Sequence, residues 1–249
     1  VVAVESFPTY VATIDLALGT AGLPQGRIIE IFGLESSGKT TTCLQFIKAC
    51  QRYHFPKKGR KGVAAFVDAE HAFDPTWAAK IGVDIDTLLF SQPDSGEQAL
   101  DIVDKMTESG LVDLIVVDSV AALVPQAELD GDITDNVIGG QARLMSRAMR
   151  RLKGNANKTK TSIVFINQVR QKIGVMYGDP TTTPGGLALK FYASVRAQVN
   201  KGSKLLEKKE VVGFSPNLSI IKNKCAPPFT RAEYDICVGH PERPVYGID

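Results

Sequence analysis

Residues 33–40, GLESSGKT, constrain the fold of this chain more than any other feature. They fit the pattern G-x-x-x-x-G-K-[S/T] and lie between an apolar run, residues 27–32, and the helical pattern Lys39–Arg52. A strand, a glycine-rich turn and a helix in this order form a loop whose backbone N–H groups point inward at phosphate groups. The segment therefore predicts a phosphate-binding loop after a buried strand; the alternative is a chance glycine-rich turn.

Short apolar runs continue to alternate with helical patterns as far as Gln168. This alternation predicts a mostly parallel sheet with helices on both faces, and runs such as LIVV are apolar throughout, as in strands covered on both sides. The predicted strands are residues 27–32, 63–67, 87–90, 111–117 and 161–166. The predicted helices are residues 39–52, 97–108 and 139–152.

The pattern changes after Gln168. Residues 171–186 are rich in Gly, Pro and Thr and show no periodicity, which is typical of a long functional loop. The later apolar stretches 194–199, 218–221 and 234–238 have no long helix between them and predict an antiparallel extension of the sheet. We expect a single domain over residues 1–249.

Charge is distributed very unevenly along the chain, although the net charge is only +2. Residues 1–62 carry a net +4, residues 63–135 a net −14 and residues 136–249 a net +12. Residues 136–178 hold nine Lys or Arg and no carboxylate. Such a stretch is typical of phosphate binding, but charge alone leaves open a solvated helix face balanced by an acidic neighbour.

Composition places the chain among ordinary globular proteins, with 44% hydrophobic and 22% charged residues. No apolar run is long enough to span a bilayer, so no membrane partner is expected. The four cysteines form no C-x-x-C pair. We therefore expect reduced thiols in a cytoplasmic protein rather than a zinc site.

Acids that follow the predicted strands are candidates for nucleotide chemistry. In the phosphate loop, Lys39 is expected to reach the β- and γ-phosphates and Thr40 to bind Mg²⁺. Asp118 ends LIVV and either holds Mg²⁺ or caps the next helix. Glu70 either positions the attacking water or is a surface carboxylate. Trp77 either covers the adenine or fills the core.

Longer stretches resemble the bacterial-type RecA recombinases. They are GLPQGRIIEIFGLESSGKTT, FVDAEHAFDP, IGVDIDTLLFSQPDSGEQAL, VDLIVVDSVAALVPQAEL and FINQVRQKIGVMYGDPTTTPGGLALKFYASVR, and the similarity covers residues 14–246. The resemblance implies a RecA-type P-loop NTPase core. It also implies a DNA-dependent ATPase, with ATP and Mg²⁺ as cofactors, that forms a filament on single-stranded DNA and pairs it with a homologous duplex.

The resemblance also implies roles in the nucleotide site. Glu70 would be the catalytic glutamate, and Gln168 would sense the γ-phosphate and pass its presence to the following loop. Thr40 and Asp118 would hold Mg²⁺. The residues implied to bind ATP are Gly33, Leu34, Glu35, Ser36, Ser37, Gly38, Lys39, Thr40, Thr41, Asp74 and Trp77.

Two loops would bind the DNA strand, residues 128–139 and residues 171–186, with Ile138 wedging between bases. For each arginine, the alternative is a surface salt bridge to the acidic middle third. The residues implied to contact DNA are Ile138, Gly139, Arg143, Arg147, Arg150, Arg170, Lys172, Gly185 and Gly186.

Lys222 and Lys224 match lysines that reach the neighbouring subunit's ATP in the family's filament. They would stabilise γ-phosphate charge as an arginine finger does, so that ATPase activity depends on assembly. Phe191 would lie at the same subunit interface. The resemblance further implies an SOS repressor as a partner.

The chain departs from the family pattern in several places. The N-terminal docking element and the C-terminal DNA-capture domain are expected to be absent from residues 1–249. Asn200, Asn217 and Ser219 stand where positive charge is usual, so we expect weaker binding of double-stranded DNA. Residues 54–61 form an insertion with four cations, predicted to be a solvated turn, or else a contact to DNA or a neighbour.

Three rival functions remain at this stage. A hexameric helicase motor would unwind DNA without pairing strands. A non-catalytic nucleoprotein scaffold would bind ATP without hydrolysing it, and the presence of both Glu70 and Gln168 argues against it. A small-molecule kinase would need a substrate lid, which the basic loops do not resemble.

Overall fold

The computed structural model describes residues 4–132, 139–171, 181–240 and 243–248. The strands in this part of the chain are β1 Ser6–Phe7, β2 Leu23–Pro24, β3 Ile28–Gly33, β4 His54–Phe55, β5 Arg60–Lys61, β6 Ala64–Asp68, β7 Leu89–Ser91, β8 Leu114–Asp118, β9 Ser162–Gln168, β10 Arg170–Gln171, β11 Thr181–Thr182, β12 Val195–Glu207, β13 Glu210–Asn223, β14 Arg231–Glu233, β15 Ile236–His240 and β16 Arg243–Ile248. The helices are α1 Ala12–Leu18, α2 Lys39–Arg52, α3 Pro75–Ile81, α4 Gly96–Ser109, α5 Gln126–Leu129, α6 Gly140–Thr159 and α7 Ala188–Tyr192.

One ten-stranded sheet organises the molecule. Its strand order is β16-β15-β13-β12-β3-β9-β8-β6-β7, with β14 paired to β13. The strands from β12 to β7 pair in parallel, whereas β13 to β16 add antiparallel pairs at the C-terminal side. The predicted α/β class, with a mostly parallel sheet and an antiparallel extension, is confirmed.

Helices cover both faces of the sheet. On β8, Leu114 and Val116 pack into the cluster that contains α2 and α3, while Ile115 and Val117 pack into the cluster that contains α4 and α6. Alternate side chains of a strand point to opposite faces. The continuous apolar run LIVV therefore reflects burial on both sides. No helix in the described ranges is long and apolar enough to cross a membrane.

Several element bounds differ from the predictions. The helix α2 has its predicted bounds, but α6 continues to Thr159, and β12 and β13 form a hairpin much longer than the apolar stretches that signalled them. The predicted loop 171–186 begins on a short antiparallel ladder, in which β10 pairs with β11. Residues 172–180 of that loop lie outside the described residues.

The insertion at residues 54–61 has a largely exposed turn, as its composition predicted, but it is anchored more firmly than a solvated turn would be. It forms the hairpin β4–β5, and Phe55 is buried at 3% exposure. Lys58 Nζ and Arg60 Nη1 each lie 2.6 Å from a carboxylate oxygen of Asp113, whose side chain is fully buried. The hairpin is therefore held to the sheet by a buried ion-pair cluster. Two of its four cations, Lys58 and Arg60, are used inside the molecule, which the local sequence does not reveal.

Candidate functional site

Four parallel strands bring the candidate nucleotide residues to one edge of the sheet. The register pairs Gly33 at the end of β3 with Gln168 at the end of β9, and Asp68 at the end of β6 with Asp118 at the end of β8. The carboxyl ends of parallel strands are where ligands bind in open α/β sheets. The phosphate loop and the acids that follow the strands therefore meet at this edge.

Both glycines of the phosphate loop are required by close packing. A Cβ atom on Gly33 would lie 2.1 Å from the carbonyl oxygen of Val199 on β12. Gly38 has φ +95°, and a Cβ there would lie 2.7 Å from Cδ1 of Ile236 on β15. L-residues rarely adopt this conformation, so Gly38 lets the chain turn directly into α2. The C-terminal strands thus brace the loop from outside.

Lys39 and Ser37 are polar groups buried within the loop. Lys39 Nζ donates to the carbonyl oxygen of Leu34 at 2.7 Å, and the residue is 8% exposed. Burial lowers the pKa of Lys39, while the carboxylates of Asp118 and Glu70 oppose that shift. Ser37 Oγ is buried with no hydrogen-bond partner among the described residues. Buried unsatisfied donors of this kind suit a loop that binds an oxyanion.

Thr40 and Asp118 form the candidate cation site. Thr40 Oγ1 donates to Asp118 Oδ2 at 2.7 Å, although 78 residues separate them in sequence. Burial raises the pKa of Asp118 to about 6, and the nearby carboxylates of Glu70 and Asp68 add to the shift. A hydroxyl and a carboxylate are oxygen ligands of the kind that Mg²⁺ takes together with phosphate oxygens. The residues present therefore fit a magnesium ion.

Glu70 is exposed but held by two donors. Its Oε1 accepts a hydrogen bond from Ser119 Oγ and another from Gln168 Nε2, the latter at 2.9 Å. The structure therefore brings Glu70 and Gln168, predicted separately, into direct contact. A carboxylate positioned in this way at the mouth of the phosphate loop can orient a water molecule.

Asp68 lies in the same turn but has a different environment. It is 1% exposed and accepts hydrogen bonds from the backbone N–H groups of Ala72 and Phe73 and from Gln92 Nε2. These bonds hold the segment that carries Glu70. In the sequence analysis, Glu70 was assigned a role and Asp68 was not.

Trp77 was predicted either to cover the adenine or to fill the core. It packs at the border of the core, and its contact with adenine stays a prediction. Asp74 caps α3 by accepting from the N–H groups of Thr76 and Trp77. The half-buried Trp77 ring packs against the core, edge-on to Tyr246 with centroids 6.2 Å apart. Its Nε1 also donates to Thr41 Oγ1 at 3.2 Å. The ring thus lies beside the helix that follows the phosphate loop.

Asn167 connects this site to the candidate DNA loop, and sequence reasoning missed it. Its Nδ2 donates to Glu30 Oε1 at 3.0 Å and to the carbonyl oxygen of Pro184 at 3.1 Å, and its Oδ1 accepts from the N–H of Gln168. Glu30 is fully buried and also pairs with Arg196. The signal in the sequence was a glutamate within the apolar run of β3, because a buried charge requires a partner.

The exposed face of α6 carries three of the nine predicted DNA contacts. Arg143, Arg147 and Arg150 are exposed, and none forms an ion pair with a described residue. Arg151, one helical turn after Arg147, pairs with Asp104 at 2.5 Å. Arg170 at the start of β10 is also exposed.

The remaining predicted DNA contacts lie at the ends of the two loops. Gly139, Gly185 and Gly186 all adopt positive φ. The N–H of Gly185 donates to Gln141 Oε1 at 3.1 Å, so this donor is used within the protein. The predicted contacts Ile138 and Lys172 lie outside the described residues.

The ammonium groups of Lys222 and Lys224 both contact backbone carbonyl oxygens at the C-terminal end of α7. Lys222 Nζ donates to the carbonyl oxygens of Lys190 at 2.5 Å and Phe191 at 3.1 Å, and Lys224 Nζ donates to that of Phe191 at 3.2 Å. Burial, followed by the charges of Lys224 and Arg196, lowers the pKa of Lys222 to about 8. Phe191 is 68% exposed. Two cations and an exposed aromatic ring thus share one surface.

Comparison with known proteins shows the family of this chain. A family model described as the RecA N-terminal domain matches residues 1–241. The chain is 57% identical over 236 residues to a protein named Protein RecA from Symbiobacterium thermophilum. That match covers 95% of this chain and 65% of the relative's length. The chain belongs to the RecA N-terminal domain family.

Proposed function

We propose that this chain is the ATPase and DNA-binding core of a recombinase. ATP binding would favour a state that holds single-stranded DNA in a filament for pairing with a homologous duplex. The observation that carries the proposal is a continuous set of contacts. Gln168 hydrogen bonds to Glu70, and the adjacent Asn167 bonds to Pro184 at the end of the candidate DNA loop. A change at the γ-phosphate would therefore reach the loop through two neighbouring residues.

ATP hydrolysis would use the residues gathered at the sheet edge. Lys39 would exchange its bond to Leu34 for the β- and γ-phosphates, and Glu70 would orient the attacking water. Thr40 and Asp118 would hold Mg²⁺, which neutralises phosphate charge when it is bound. Gln168 would bond the γ-phosphate and release it after hydrolysis.

Assembly would complete the catalytic site. Lys222 and Lys224 would stabilise the γ-phosphate charge of the neighbouring subunit's ATP, with Phe191 at the contact. The proposal treats residues 1–249 as one core domain. It includes weaker duplex binding, because Asn217 is uncharged where a cation was expected. Its side chain donates instead to Glu233 at 3.3 Å. An SOS repressor is proposed as a further partner.

Phosphate release from ATP, measured with and without single-stranded DNA, tests this function. We expect DNA to stimulate hydrolysis, and Glu70→Gln to lower the stimulated rate by about 100-fold while ATP-dependent DNA binding persists. Glu108→Gln, an exposed carboxylate on α4, is the matched control and should behave as the wild type. Wild-type protein without DNA stimulation, or full hydrolysis by Glu70→Gln, would contradict the proposal.

A further inference from the structure

A cavity lies at the opposite edge of the sheet from the phosphate loop. It has a volume of about 300 Å³ and is lined in part by Gly26, Arg27 and Ile28, where β3 begins. The phosphate loop follows the end of β3, and a six-residue strand is about 17 Å long. Water occupies about 30 Å³ per molecule, so the cavity has room for a phosphate group with its hydration.

The lining of this cavity is strongly cationic. It includes Arg27, Arg150 and Lys153, together with the polar side chains of Asn157 and Ser194. None of the described residues that line it carries a carboxylate. A concave surface with three cations and no counter-charge concentrates anions.

Arg27 and Lys153 are not neutralised by their immediate neighbours. Arg27 Nε is buried with no hydrogen-bond partner among the described residues. The side chain of Arg27 also hydrogen bonds to the thiol of Cys225, but burial raises the pKa of that thiol, so it supplies no negative charge. Lys153 Nζ lies 5.8 Å from the centroid of the Tyr192 ring and forms no ion pair in the described ranges. A phosphate oxygen would supply an acceptor for Arg27 and a counter-charge for Lys153.

The cavity also continues the cationic face of α6. A Cβ on Gly186, at the end of the candidate DNA loop, would lie 2.9 Å from Cβ of Ala142 near the start of α6. A Cβ on Gly26 would lie 3.1 Å from the carbonyl oxygen of Ala156 near its end. The helix therefore runs from the loop to the cavity, and Arg150 belongs to both surfaces.

The length of this cationic face suits a nucleic-acid strand. Arg143 and Lys153 are ten residues apart on α6, which is about 15 Å along the helix axis. Several consecutive phosphates of one strand fit within that distance. A regular row of separated cations favours a phosphodiester backbone over an acidic peptide.

We propose that this cavity binds a backbone phosphate of the DNA strand held by the loops and α6. The inference rests on the proposed function and extends the DNA path beyond the two loops to the amino edge of the sheet. Lys153 and Arg27 are then DNA-binding residues in addition to those predicted from sequence.

Salt-dependent binding of a labelled single-stranded oligonucleotide, measured by fluorescence anisotropy with a non-hydrolysable ATP analogue, tests the inference. For Lys153→Gln we expect the slope of log K against log salt to fall in magnitude by about 0.7, the value for one phosphate contact on a single strand. Lys158→Gln, an exposed lysine on α6 that does not line the cavity, is the matched control and should keep the wild-type slope. Adding Arg27→Gln to Lys153→Gln should lower the slope by about 0.7 again.

The outcomes distinguish failure of the cavity assignment from failure of the proposed function. A Lys153→Gln slope equal to that of Lys158→Gln in a wild type that binds DNA overturns the cavity assignment alone. Absence of DNA binding by the wild type overturns both the assignment and the proposed function. Loss of poly-glutamate binding in Lys153→Gln, with DNA binding unchanged, would assign the cavity to an acidic peptide and also overturn the inference.

Discussion

Two basic segments of this chain have similar composition but different environments. The hairpin of residues 54–61 carries four cations, and three of them form ion pairs: Lys57 with Glu5, and Lys58 and Arg60 with Asp113. The stretch 143–151 of α6 also carries four cations, but among described residues only Arg151 is paired.

The difference lies in what each segment packs against. Asp113 immediately precedes β8, and its buried carboxylate faces the hairpin. Arg143, Arg147 and Arg150 on α6 meet no such acid in the described part of the chain. Charge density along a sequence therefore does not identify a phosphate-binding surface. Only the folded structure shows which cations remain without a carboxylate partner and are therefore available to bind phosphate.

Removing the buried carboxylate of Asp113 should have the largest effect on stability. We expect Asp113→Asn to lower the free energy of unfolding by about 3 kcal/mol, because two cations lose a buried partner. Urea denaturation measures the change. Asp101→Asn, which breaks an exposed pair with Lys105, should leave the urea midpoint close to that of the wild type. Equal losses in the two variants would show that the hairpin cluster contributes no special stability.

Substitutions in the two segments should have opposite effects on DNA affinity and on stability. Arg147→Gln should weaken single-stranded DNA binding by about 5-fold, the loss of one phosphate contact, while its unfolding free energy stays within about 0.5 kcal/mol of the wild type. Arg60→Gln should give the reverse pattern, with lower stability and unchanged DNA affinity of the folded protein. Reduced DNA affinity in folded Arg60→Gln would remove the distinction between the two segments.

Lys222 has neither a carboxylate partner nor a freely exposed ammonium group, because it donates to backbone carbonyl oxygens. Lys222 has a pKa of about 8, so it is mostly charged below that pH and loses its charge as the pH rises through it. Its charged fraction falls roughly 3-fold between pH 7.5 and 8.5, and we expect DNA-stimulated ATPase activity to fall to a similar extent. Lys222→Arg should retain its charge and flatten this decline. Identical alkaline profiles in both proteins would argue against a charged role for Lys222.

The exposed pair of the hairpin should matter least. The side chains of Lys57 and Glu5 are 78% and 39% exposed. We expect Lys57→Gln to change the unfolding free energy by under about 0.5 kcal/mol, with any difference disappearing in high salt. A urea midpoint shift comparable to that of Asp113→Asn would mean that exposure does not separate the two ion pairs.

Local sequence was sufficient for elements whose signals are contiguous. The phosphate-loop pattern and Lys39–Arg52 predicted a loop and a helix at the bounds that the structure has, because both depend on glycines and on the apolar spacing of a single segment. The long hairpin was missed for the converse reason. Side chains of β12 alternate between inward and outward as far as Val199 and are largely exposed beyond it, so backbone pairing continues without an apolar signal.

The sequence by itself determined the family resemblance, the α/β class and the candidate residues that follow each strand. Only the tertiary structure decided which of them touch: Glu70 with Gln168, Thr40 with Asp118, and Asn167 with Pro184. It also decided which cations are neutralised, because Asp113 lies more than 50 residues from the hairpin that it holds. Such contacts depend on strand order and packing, and no local pattern records them.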